Sequence, residues 1–498
     1  MTVRVAAVDL GAASGRVVVG HRTDRGFSLR EVHRFPNDAR TAGGVLRWDA
    51  RALFAGMLDG LRAAGAGGEP VEGVSVDGWG VDYGLLDADG ALIADPASYR
   101  DGRTGAPFAA VAAGGGVGGV DAARLFQATG TAVHPFNTVF QLMAERDLHR
   151  ARHVLLVPDL MTYWLSGQLG TELTNASTTG LLDTRVMSWA DRAADALAVP
   201  VKMFPALRTA GQVAGPMTPS LARGLGLTRP PQVIAGPSHD TAAAVAGVPA
   251  AGQDFAFVCT GTWALAGVEL RAPVITEAAR LAGFSNEVGI DGTIRFLRNV
   301  TGFWLLQECA REWRADGRRV DLDRLTRAAG DVPGLRALVD VQDPAFAVPG
   351  GMTGRIIRAC LRTSGVTPDG EAGIVRCILD SMAVAIRHAV RDAARVTGRP
   401  VRTVHVVGGG VASPVFCQLV ADACGLPVVA GPTEAASWGN VLSQARALGV
   451  TGASLPELRS FVRRGTRLAS YQPDEQEEAW ERADEIVLAS RDHGPGRP

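Results

Sequence analysis

Residues 3–20 read VRVAAVDLGAASGRVVVG and carry the strongest structural signal in the chain. An apolar run ends at Asp9, a turn of glycine and other small residues follows, and a second apolar run begins at Val17. This pattern predicts two short strands joined by a tight turn. Small residues let successive backbone N–H groups of the turn converge on one point, as in an anion nest. The sequence therefore favours a phosphate-binding turn, and an ordinary hairpin turn with a surface arginine is the alternative.

The side chains around this turn support an anion as its ligand. Ser14 offers a hydroxyl group, and Arg16 offers charge-assisted hydrogen bonds. Asp9, at the end of the first predicted strand, suits a hydrated Mg²⁺ ion that lies beside phosphate groups. Together these residue types predict a polyphosphate site with Asp9 at the metal ion.

The pattern of the first turn returns in the second half of the chain. Residues 254–268, DFAFVCTGTWALAGV, again combine an apolar run, a turn of small residues and another apolar run. Elsewhere, strand-like runs alternate with helical stretches such as 49–64 and 373–398, which predicts an α/β protein. We therefore expect two related lobes with a boundary near residue 250, and a ligand-binding cleft between them.

A third turn lies in HVVGGGVASP, residues 405–414. Its glycines let the backbone approach a flat ligand closely, and the helix that follows favours polar or anionic groups at its N-terminus. Ser413 and Gly425 predict the two ends of that helix. A Rossmann dinucleotide site is the alternative, with Glu434 as the acidic residue further along the chain. That alternative lacks the third glycine of the fingerprint and leaves the other two turns unexplained.

The candidate general base lies in PSHDTAAAV, residues 237–245. Asp240 stands between His239 and Thr241, just before a helix of small residues. A carboxylate in this setting suits proton abstraction from a hydroxyl group. The alternative is that Asp240 serves only as a helix N-cap.

A polyol site is suggested by DGWGVDYGLLD, residues 77–87, together with SYRDGRT, residues 98–104. These segments combine aromatic rings with carboxylate and guanidinium groups, which can contact the apolar and polar parts of a sugar. A core tryptophan and a structural Arg–Asp pair are the alternative.

Composition excludes several classes of function. The 498 residues carry a net charge of −1, so neither nucleic acid nor an anionic membrane is expected as a partner. The only lysine is Lys202, in PVKMF, which does not fit a P-loop, a protein kinase or a Schiff-base enzyme. Any bound nucleotide must therefore be held by backbone amides, hydroxyl groups, arginine or a metal ion.

The sequence has no apolar run of membrane-spanning length, and Asp9 interrupts the N-terminus before a signal-peptide core. Its six cysteines include no CxxC pair. These features predict a cytoplasmic protein with free, buried thiols. The sequence does not determine an oligomeric state, and a monomer is compatible with it.

Taken together, the motifs resemble those of the FGGY carbohydrate kinases, which have the actin/hexokinase/Hsp70-like (ribonuclease H-like) ATPase fold. Within that family they are most similar to the kinases of L-rhamnulose. The resemblance covers about residues 3–450. The motifs that carry it are, in chain order, DLGAASGR (9–16), WGVDYGLLD (79–87), YRDGRT (99–104), FNTVFQL (136–142), TNASTTGLLD (174–183), SHDTA (238–242), GTWALAG (261–267), RNVTGFWLLQE (298–308), GGGVASPVFCQLVADACGLPVVAGPTEA (408–435) and SWGN (437–440).

The resemblance implies a domain organisation and a set of site residues. It implies a sugar-binding lobe at 1–248, a nucleotide-binding lobe at 249–450 and a helical extension at 451–498. Asp240 would be the catalytic base and Asp9 would lie at the metal ion. The residues that would contact ATP are Ala12, Ala13, Ser14, Gly15, Arg16, Thr262, Gln307 and Gly409. Those that would line the sugar site are Gly80, His239, Asp240, Thr241 and Asn299.

The resemblance also implies an activity, namely ATP- and Mg²⁺-dependent phosphorylation of L-rhamnulose to its 1-phosphate. Since that ketose ends in a methyl group, the pocket needs an apolar wall, for which we expect Trp79, Tyr83 and Phe136. Two alternatives share the fold: a kinase of another ketose or polyol, and a catalytically silent module that binds sugar or ATP.

Overall fold

The computed structural model describes residues 3–24, 26–113, 116–452 and 454–492. The strands are β1 (Arg4–Leu10), β2 (Ser14–Thr23), β3 (Gly26–Pro36), β4 (Ala39–Ala42), β5 (Val45–Trp48), β6 (Gly73–Gly78), β7 (Tyr83–Leu86), β8 (His153–Leu156), β9 (Thr171–Glu172), β10 (Leu182–Asp183), β11 (Ser188–Trp189), β12 (Leu207–Arg208), β13 (Gln212–Pro216), β14 (Gln232–Ala235), β15 (Phe255–Thr260), β16 (Trp263–Leu270), β17 (Ser285–Val288), β18 (Ile294–Thr301), β19 (Thr403–Gly408), β20 (Val428–Ala430) and β21 (Ala469–Tyr471).

The helices alternate with these strands along the chain. They are α1 (Ala50–Gly65), α2 (Gly105–Ala112), α3 (Ala122–Thr129), α4 (Thr138–Met143), α5 (Val157–Ser166), α6 (Leu173–Ala176), α7 (Asp191–Ala196), α8 (Pro219–Gly224), α9 (Asp240–Ala246), α10 (Glu277–Leu281), α11 (Trp304–Ala315), α12 (Leu322–Gly330), α13 (Met352–Thr363), α14 (Gly370–Thr397), α15 (Pro414–Cys424), α16 (Ala435–Ala447), α17 (Leu455–Gly465) and α18 (Glu477–Asp492). Short 3₁₀ turns lie at Gly102–Thr104, Leu148–Arg150, Val201–Met203, Ile290–Gly292, Pro344–Phe346 and Gly409–Ala412.

The chain divides into two compact units. The first comprises Met1–Ala251, Glu269–Phe296 and Ala435–Gly465, and the second comprises Gly252–Val268, Leu297–Glu434 and Thr466–Pro498, in both cases as far as the residues are described.

The first unit is built on a six-stranded sheet of order β13-β14-β6-β1-β2-β3. Strand β1 pairs antiparallel with β2 and parallel with β6. Alternate residues of a strand point to opposite faces of the sheet. In β1, helices cover both of these faces. Ala6, Val8 and Leu10 pack in one core cluster with side chains of α1 and α5. Val5 and Ala7 pack in another with side chains of α16 and α17. This double coverage explains the uninterrupted apolar run of the sequence.

The second sheet has seven strands in the order β17-β18-β16-β15-β19-β20-β21. Within the second unit, β15 pairs antiparallel with β16 and parallel with β19. The predicted repeat is therefore present, because β1 has the same two kinds of partner. The cap residues expected for α15 are also confirmed: the Ser413 hydroxyl accepts the Phe416 N–H at 3.1 Å, and Gly425 ends the helix in the left-handed conformation.

The sequence predicts contiguous regions at 1–248, 249–450 and 451–498, whereas each of the two compact units combines segments that are separate in the chain. The first unit ends its main segment at Ala251, but it also takes the helices α16 and α17. The reason is packing and polar pairing: the Gln444 side-chain amide of α16 donates to the Ala6 carbonyl of β1 at 3.1 Å. The expected C-terminal extension is divided, since β21 adds to β20 in the second sheet.

Among the described residues, no helix has both the length and the apolar character needed to cross a membrane.

Candidate active site

Three carboxylates from separate elements gather at one edge of the first sheet. Asp9 and Asp77 are partners in the parallel pairing of β1 with β6. Asp240 is the first residue of α9, and the preceding His239 bridges to Gly78, the residue after Asp77. The charges of Asp9 and Asp240 contribute to the raised pKa of Asp77, after its burial, which is the largest cause.

Asp240 has the environment of a general base. Its side chain is 34% exposed, and one of its oxygens, Oδ1, accepts a hydrogen bond from the Thr241 hydroxyl at 3.1 Å. Loss of water around the carboxyl raises its pKa, the neighbouring His239 lowers it, and the charge of Asp9 raises it again, with a net rise. The N-cap alternative is not observed, because the N-cap position of α9 is occupied by His239. A carboxyl with a raised pKa is better able to take a proton from a hydroxyl group.

The predicted phosphate turn forms between β1 and β2. The Gly11 N–H donates to the Ser14 carbonyl at 3.0 Å, which closes the turn around Ala12 and Ala13. The five residues expected to contact ATP, Ala12–Arg16, lie in this turn and at the start of β2.

The Arg16 side chain forms an ion pair with Asp9 and does not extend away from this turn. Its Nε and Nη2 donate to Asp9 Oδ2 at 2.9 and 2.6 Å. The expected metal ligand and the expected phosphate contact are therefore joined in one ion pair.

Asp77 belongs to this site, and sequence reasoning did not select it. It is fully buried, its Oδ2 accepts a hydrogen bond from the Asn440 amide, and its Oδ1 has no hydrogen-bond partner among the described residues. The available signal was its position at the end of the apolar run VEGVSV, which places a carboxylate at the same sheet edge as Asp9. The described residues contain no group of three or more His, Cys, Asp or Glu side chains in metal-binding geometry.

Gly80 lies where the backbone is tightly constrained. A Cβ at this position would lie 2.9 Å from the Thr178 hydroxyl oxygen. The next residue, Val81, has φ of 69°, and its N–H donates to the same hydroxyl group at 3.2 Å. A β-branched residue at positive φ is strained, and such strain persists only where the surroundings hold it. The Thr178 hydroxyl therefore maintains the conformation of the segment that contains Gly80.

The aromatic groups near this segment are organised by Asp82. This buried carboxylate accepts hydrogen bonds from the indole N–H groups of Trp48 and Trp79, at 2.6 and 3.0 Å, and from the Tyr99 N–H at 3.1 Å. Burial raises its pKa to about 6, although these donors lower it. Trp48 lies 4.6 Å from Trp79 and 6.4 Å from Tyr99, and Tyr99 lies 6.5 Å from Phe136, between ring centroids. We call these four rings the aromatic platform.

The aromatic platform contains two of the three residues expected to form the apolar wall. Trp79 and Phe136 belong to it, but Tyr83 does not. Tyr83 packs in a different core cluster, and its hydroxyl group donates to Glu145 Oε2 at 3.1 Å. Tyr99 belongs to the platform, although it was not among the residues expected to form the wall.

The remaining expected sugar contact, Asn299, lies on β18 in the second unit, whereas Gly80, His239, Asp240 and Thr241 lie in the first. Its backbone carbonyl accepts a hydrogen bond from the Gln342 amide at 2.7 Å.

In the second unit, the expected ATP contacts surround the beginning of α11. The Phe303 N–H donates to the Gly261 carbonyl at 3.2 Å, and the Trp304 N–H donates to the Thr262 carbonyl at 3.1 Å. The Gln307 N–H donates to the Phe303 carbonyl at 2.9 Å. Thr262 and Gln307 are thus brought together by one turn of chain.

The glycine run, residues 408–410, packs against Thr260 and Phe303, next to these expected contacts. Gly408 has φ of 86°, and a Cβ there would lie 2.3 Å from the Thr260 carbonyl oxygen. A Cβ at Gly410 would lie 3.0 Å from the Phe303 ring. Gly409 is different: it is exposed, and its nearest neighbour would be 3.9 Å from an added Cβ. The fold therefore requires glycine at 408 and 410, while position 409 has room for a side chain.

Known proteins share this arrangement of sequence and fold. The N-terminal domain of the FGGY family of carbohydrate kinases matches residues 5–247, and its C-terminal domain matches residues 256–448. The second match includes the glycine run, which contradicts the dinucleotide-site alternative.

Similar curated proteins include a rhamnulokinase from Bacteroides thetaiotaomicron, 37% identical over 96% of this chain and 97% of the relative. A rhamnulokinase from Enterococcus faecalis is 36% identical over 94% of this chain and 93% of the relative.

Solved structures with a similar fold include a ligand-bound xylulose kinase from Lactobacillus acidophilus, with a TM-score of 0.80 at 16% identity and 98% coverage of both chains. A glycerol kinase from Plasmodium falciparum with ADP has a TM-score of 0.74 at 13% identity and 99% coverage of both chains. These likenesses confirm the predicted α/β fold of the sugar kinases. With both family domains matched in order along nearly the whole chain, the protein belongs to the FGGY family of carbohydrate kinases.

Proposed function

We propose that this kinase transfers the γ-phosphoryl group of ATP to the primary hydroxyl group of L-rhamnulose, with L-rhamnulose 1-phosphate and ADP as products. The observation that carries the choice of sugar is the full-length similarity to rhamnulokinases. The grouping of Asp9, Asp77 and Asp240 at one sheet edge supports the choice of reaction.

Asp240 is the general base of the proposed reaction. Its carboxylate takes the proton of the C1 hydroxyl group as that oxygen attacks the γ-phosphorus. The bond from the γ-phosphorus to the bridging oxygen breaks, and ADP leaves with the electron pair. The Thr241 hydroxyl and His239 hold the Asp240 carboxylate in place for this step. Since phosphoryl transfer has a loose transition state, positioning and charge neutralisation supply most of the catalysis.

The residues present fit a Mg²⁺ ion. Asp77 Oδ1 is buried without a hydrogen-bond partner among the described residues, and the Asp9 carboxylate lies beside it across the parallel pair. Mg²⁺ prefers carboxylate and phosphate oxygens and usually takes one or two carboxylates together with water and substrate phosphates. Asp9 and Asp77 would hold the ion, which supplies charge neutralisation on the phosphate oxygens when it is bound.

ATP is held, in this proposal, without a lysine. Ala12 to Gly15 contact the phosphate groups from the β1–β2 turn and the start of β2, and Arg16 presents a guanidinium group whose position is set by Asp9. In the second unit, Thr262, Gln307 and Gly409 contribute the nucleotide contacts.

The aromatic platform forms the apolar wall for the methyl group of the sugar. Contact with one methyl group contributes about 1–3 kcal/mol, or roughly 10–200-fold in kcat/KM. The stereochemistry of the other hydroxyl groups must supply the remaining selectivity, because a mismatched hydroxyl leaves buried polar groups unpaired. We expect L-rhamnulose to be the best substrate, with other ketoses turned over more slowly.

The test is an ADP-release assay with the purified protein, ATP, Mg²⁺ and a panel of L-rhamnulose, L-fuculose, xylulose and glycerol. The highest kcat/KM is expected for L-rhamnulose. A higher value for another acceptor would leave a carbohydrate kinase but reject this sugar. Release of ADP that does not depend on any acceptor would instead point to a silent ATP-binding module.

The role of Asp240 is tested by Asp240→Asn, which keeps the shape of the side chain but cannot take the proton. A loss in kcat on the order of 10²–10⁴-fold is expected, with sugar and ATP binding largely retained. Asp191→Asn is the matched control, because Asp191 is also the first residue of a short helix but is exposed. Near-normal turnover of Asp240→Asn would remove this residue from the mechanism.

A further inference from the structure

The proposed function places His239 beside the sugar. A buried ion pair of Arg295 and Glu287 contacts the Nδ1 side of its imidazole. Arg295 is fully buried, and its Nη1 lies 3.0 Å from His239 Nδ1. Glu287 Oε2 lies 2.8 Å from the same Nη1 and 3.3 Å from Nδ1. On its other side, the imidazole presents Nε2 to Asp240 Oδ1 at 3.5 Å. The four side chains therefore form one continuous polar series that ends at the proposed base.

The Arg295 guanidinium has no freedom to turn away from His239. Its Nε donates to the Val288 carbonyl at 3.2 Å, and its Nη2 donates to the carbonyls of Val288 and Thr174 at 3.1 and 3.3 Å. These bonds direct Nη1 at the imidazole. Arginine is always protonated and has only donors, so an atom that it contacts through an N–H must accept.

The direction of the contacts decides which imidazole nitrogen carries the proton. The contact between Arg295 Nη1 and His239 Nδ1 has hydrogen-bond geometry. Glu287 Oε2 has no partner in hydrogen-bond geometry among the described residues, although it lies close to both groups. The Glu287 carboxylate lies 2.8 Å from Arg295 Nη1 and neutralises its charge, whereas its distance to Nδ1 is longer, at 3.3 Å. Glu287 remains ionised: burial raises its pKa, but Arg295 and His239 lower it further, with a net decrease.

We infer that Arg295 is a positioning residue that keeps His239 in the neutral tautomer with its proton on Nε2. In this tautomer Nδ1 carries a lone pair that accepts from Arg295, and the Nε2–H group faces Asp240 and the sugar. His239 then donates toward the carboxylate and cannot compete with it for the sugar proton. The other tautomer would point a lone pair at Asp240 and repel it. This inference rests on the proposed function for its kinetic consequence, but not for the tautomer itself.

The tautomer is measurable without any substrate. The full-length protein is labelled with ¹⁵N-histidine, and a multiple-bond ¹H–¹⁵N spectrum at neutral pH distinguishes protonated from unprotonated ring nitrogens. His239→Asn assigns the signals of this residue among the nine histidines. A protonated Nε2 and an unprotonated Nδ1 are expected. A protonated Nδ1, or a doubly protonated ring, would overturn the inference.

Two variants separate the parts played by Arg295 and Glu287. Glu287→Gln removes the charge but leaves the arginine donor, so the tautomer should not change. Replacing both members, Arg295→Met with Glu287→Leu, avoids leaving a lone buried charge and removes the donor to Nδ1. A mixture of tautomers is expected for the double variant. The same single tautomer in the double variant would show that Arg295 does not set it.

Kinetics provide the functional readout. The double variant should lose about 10–100-fold in kcat with L-rhamnulose, as is usual when a group that orients a functional histidine is lost, with a smaller change in KM for ATP. The matched control is Arg387→Met with Asp484→Leu, which removes another buried arginine–carboxylate pair next to a histidine, His388, in the second unit. An equal loss of kcat in the control would indicate a general loss of stability. If no sugar is phosphorylated by the wild type, the proposed function fails, while the tautomer result stands or falls by the spectrum alone.

Discussion

Arg16 donates two hydrogen bonds to a single oxygen of Asp9, at 2.9 and 2.6 Å, across paired positions of the β1–β2 hairpin. This pair joins the turn between β1 and β2 to the edge of the sheet where Asp9, Asp77 and Asp240 gather. In the proposed mechanism, neither side chain can change without affecting the other, because the guanidinium is oriented by the carboxylate and also moderates its charge.

Arg16→Met tests this pair. Loss of a charge-assisted donor weakens binding by about 1.5–3 kcal/mol. KM for ATP should therefore rise by roughly 10–100-fold, while KM for the sugar changes much less. The measurement is steady-state kinetics with each substrate varied in turn. Arg34→Met is the control, because Arg34 also reaches this turn, with its Nη1 3.3 Å from the Ser14 hydroxyl, but it is exposed and paired with Glu31. Equal effects of the two substitutions would assign Arg16 a purely structural role.

Gly409→Val tests the nucleotide site separately from the fold. Because position 409 is exposed and an added Cβ would meet only one atom, at 3.9 Å, the melting temperature should not change. A side chain there should obstruct the adenine side of ATP, so KM for ATP should rise much more than KM for the sugar.

Gly408→Ala is the matched comparison for that experiment. It places a Cβ 2.3 Å from the Thr260 carbonyl at a positive φ, so it should lower the melting temperature. An unchanged KM for ATP in Gly409→Val would mean that the glycine run serves the turn alone.

His134 predicts a specific dependence of stability on pH. Burial lowers its pKa from 6.5 to about 4, although the charge of Glu287 opposes this shift. As the pH falls, the His134 imidazole takes up a proton in the unfolded chain before it does so in the folded protein. The stabilisation by neutral His134 is therefore fully present above pH 6.5 and is lost as the pH falls toward 4. The loss should approach about 1.4 kcal/mol of unfolding free energy per pH unit.

The measurement is urea unfolding of the wild type and His134→Asn between these two pH values. The variant should lack the His134 part of the slope. His149→Asn, which removes an exposed imidazole, is the control. Parallel pH profiles for the wild type and His134→Asn would contradict the lowered pKa.

The cysteines predict that folding does not depend on oxidation. All six are buried thiols outside any disulfide, including Cys360 and Cys377, whose sulfur atoms lie 3.3 Å apart. Thermal unfolding should give the same melting temperature with and without reductant, and thiol titration of the denatured protein should count six thiols. A decrease of many degrees on reduction, together with fewer than six thiols before it, would show a structural disulfide.

Much of the local structure followed from the sequence. The strand–turn–strand pattern at 3–20 and its repeat at 254–268 predicted β1–β2 and β15–β16, because apolar runs and small-residue turns are short-range signals. The helical stretch predicted at 49–64 forms α1, and Asp49 caps it by accepting the Ala52 N–H at 2.8 Å. Asp240 was identifiable as a candidate because it precedes a helix of small residues.

What the sequence could not predict depended on segments that are far apart in the chain. Asp77 entered the site only through the parallel pairing of β6 with β1 and through Asn440, which lies more than 300 positions later. Tyr99 joins Trp48 and Trp79 in the aromatic platform because Asp82 collects hydrogen bonds from three separate segments, a grouping that residue type alone does not reveal.

The fold class, the turns and the types of residue available for phosphoryl transfer could be predicted from the sequence, because they depend on local periodicity and backbone sterics. Packing between distant segments sets which carboxylates share one sheet edge, pairs Arg16 with Asp9, and directs an N–H of Arg295 at His239. Hydrogen-bond direction and the burial of charge are set by several chain segments at once, so they exist only after those segments have packed.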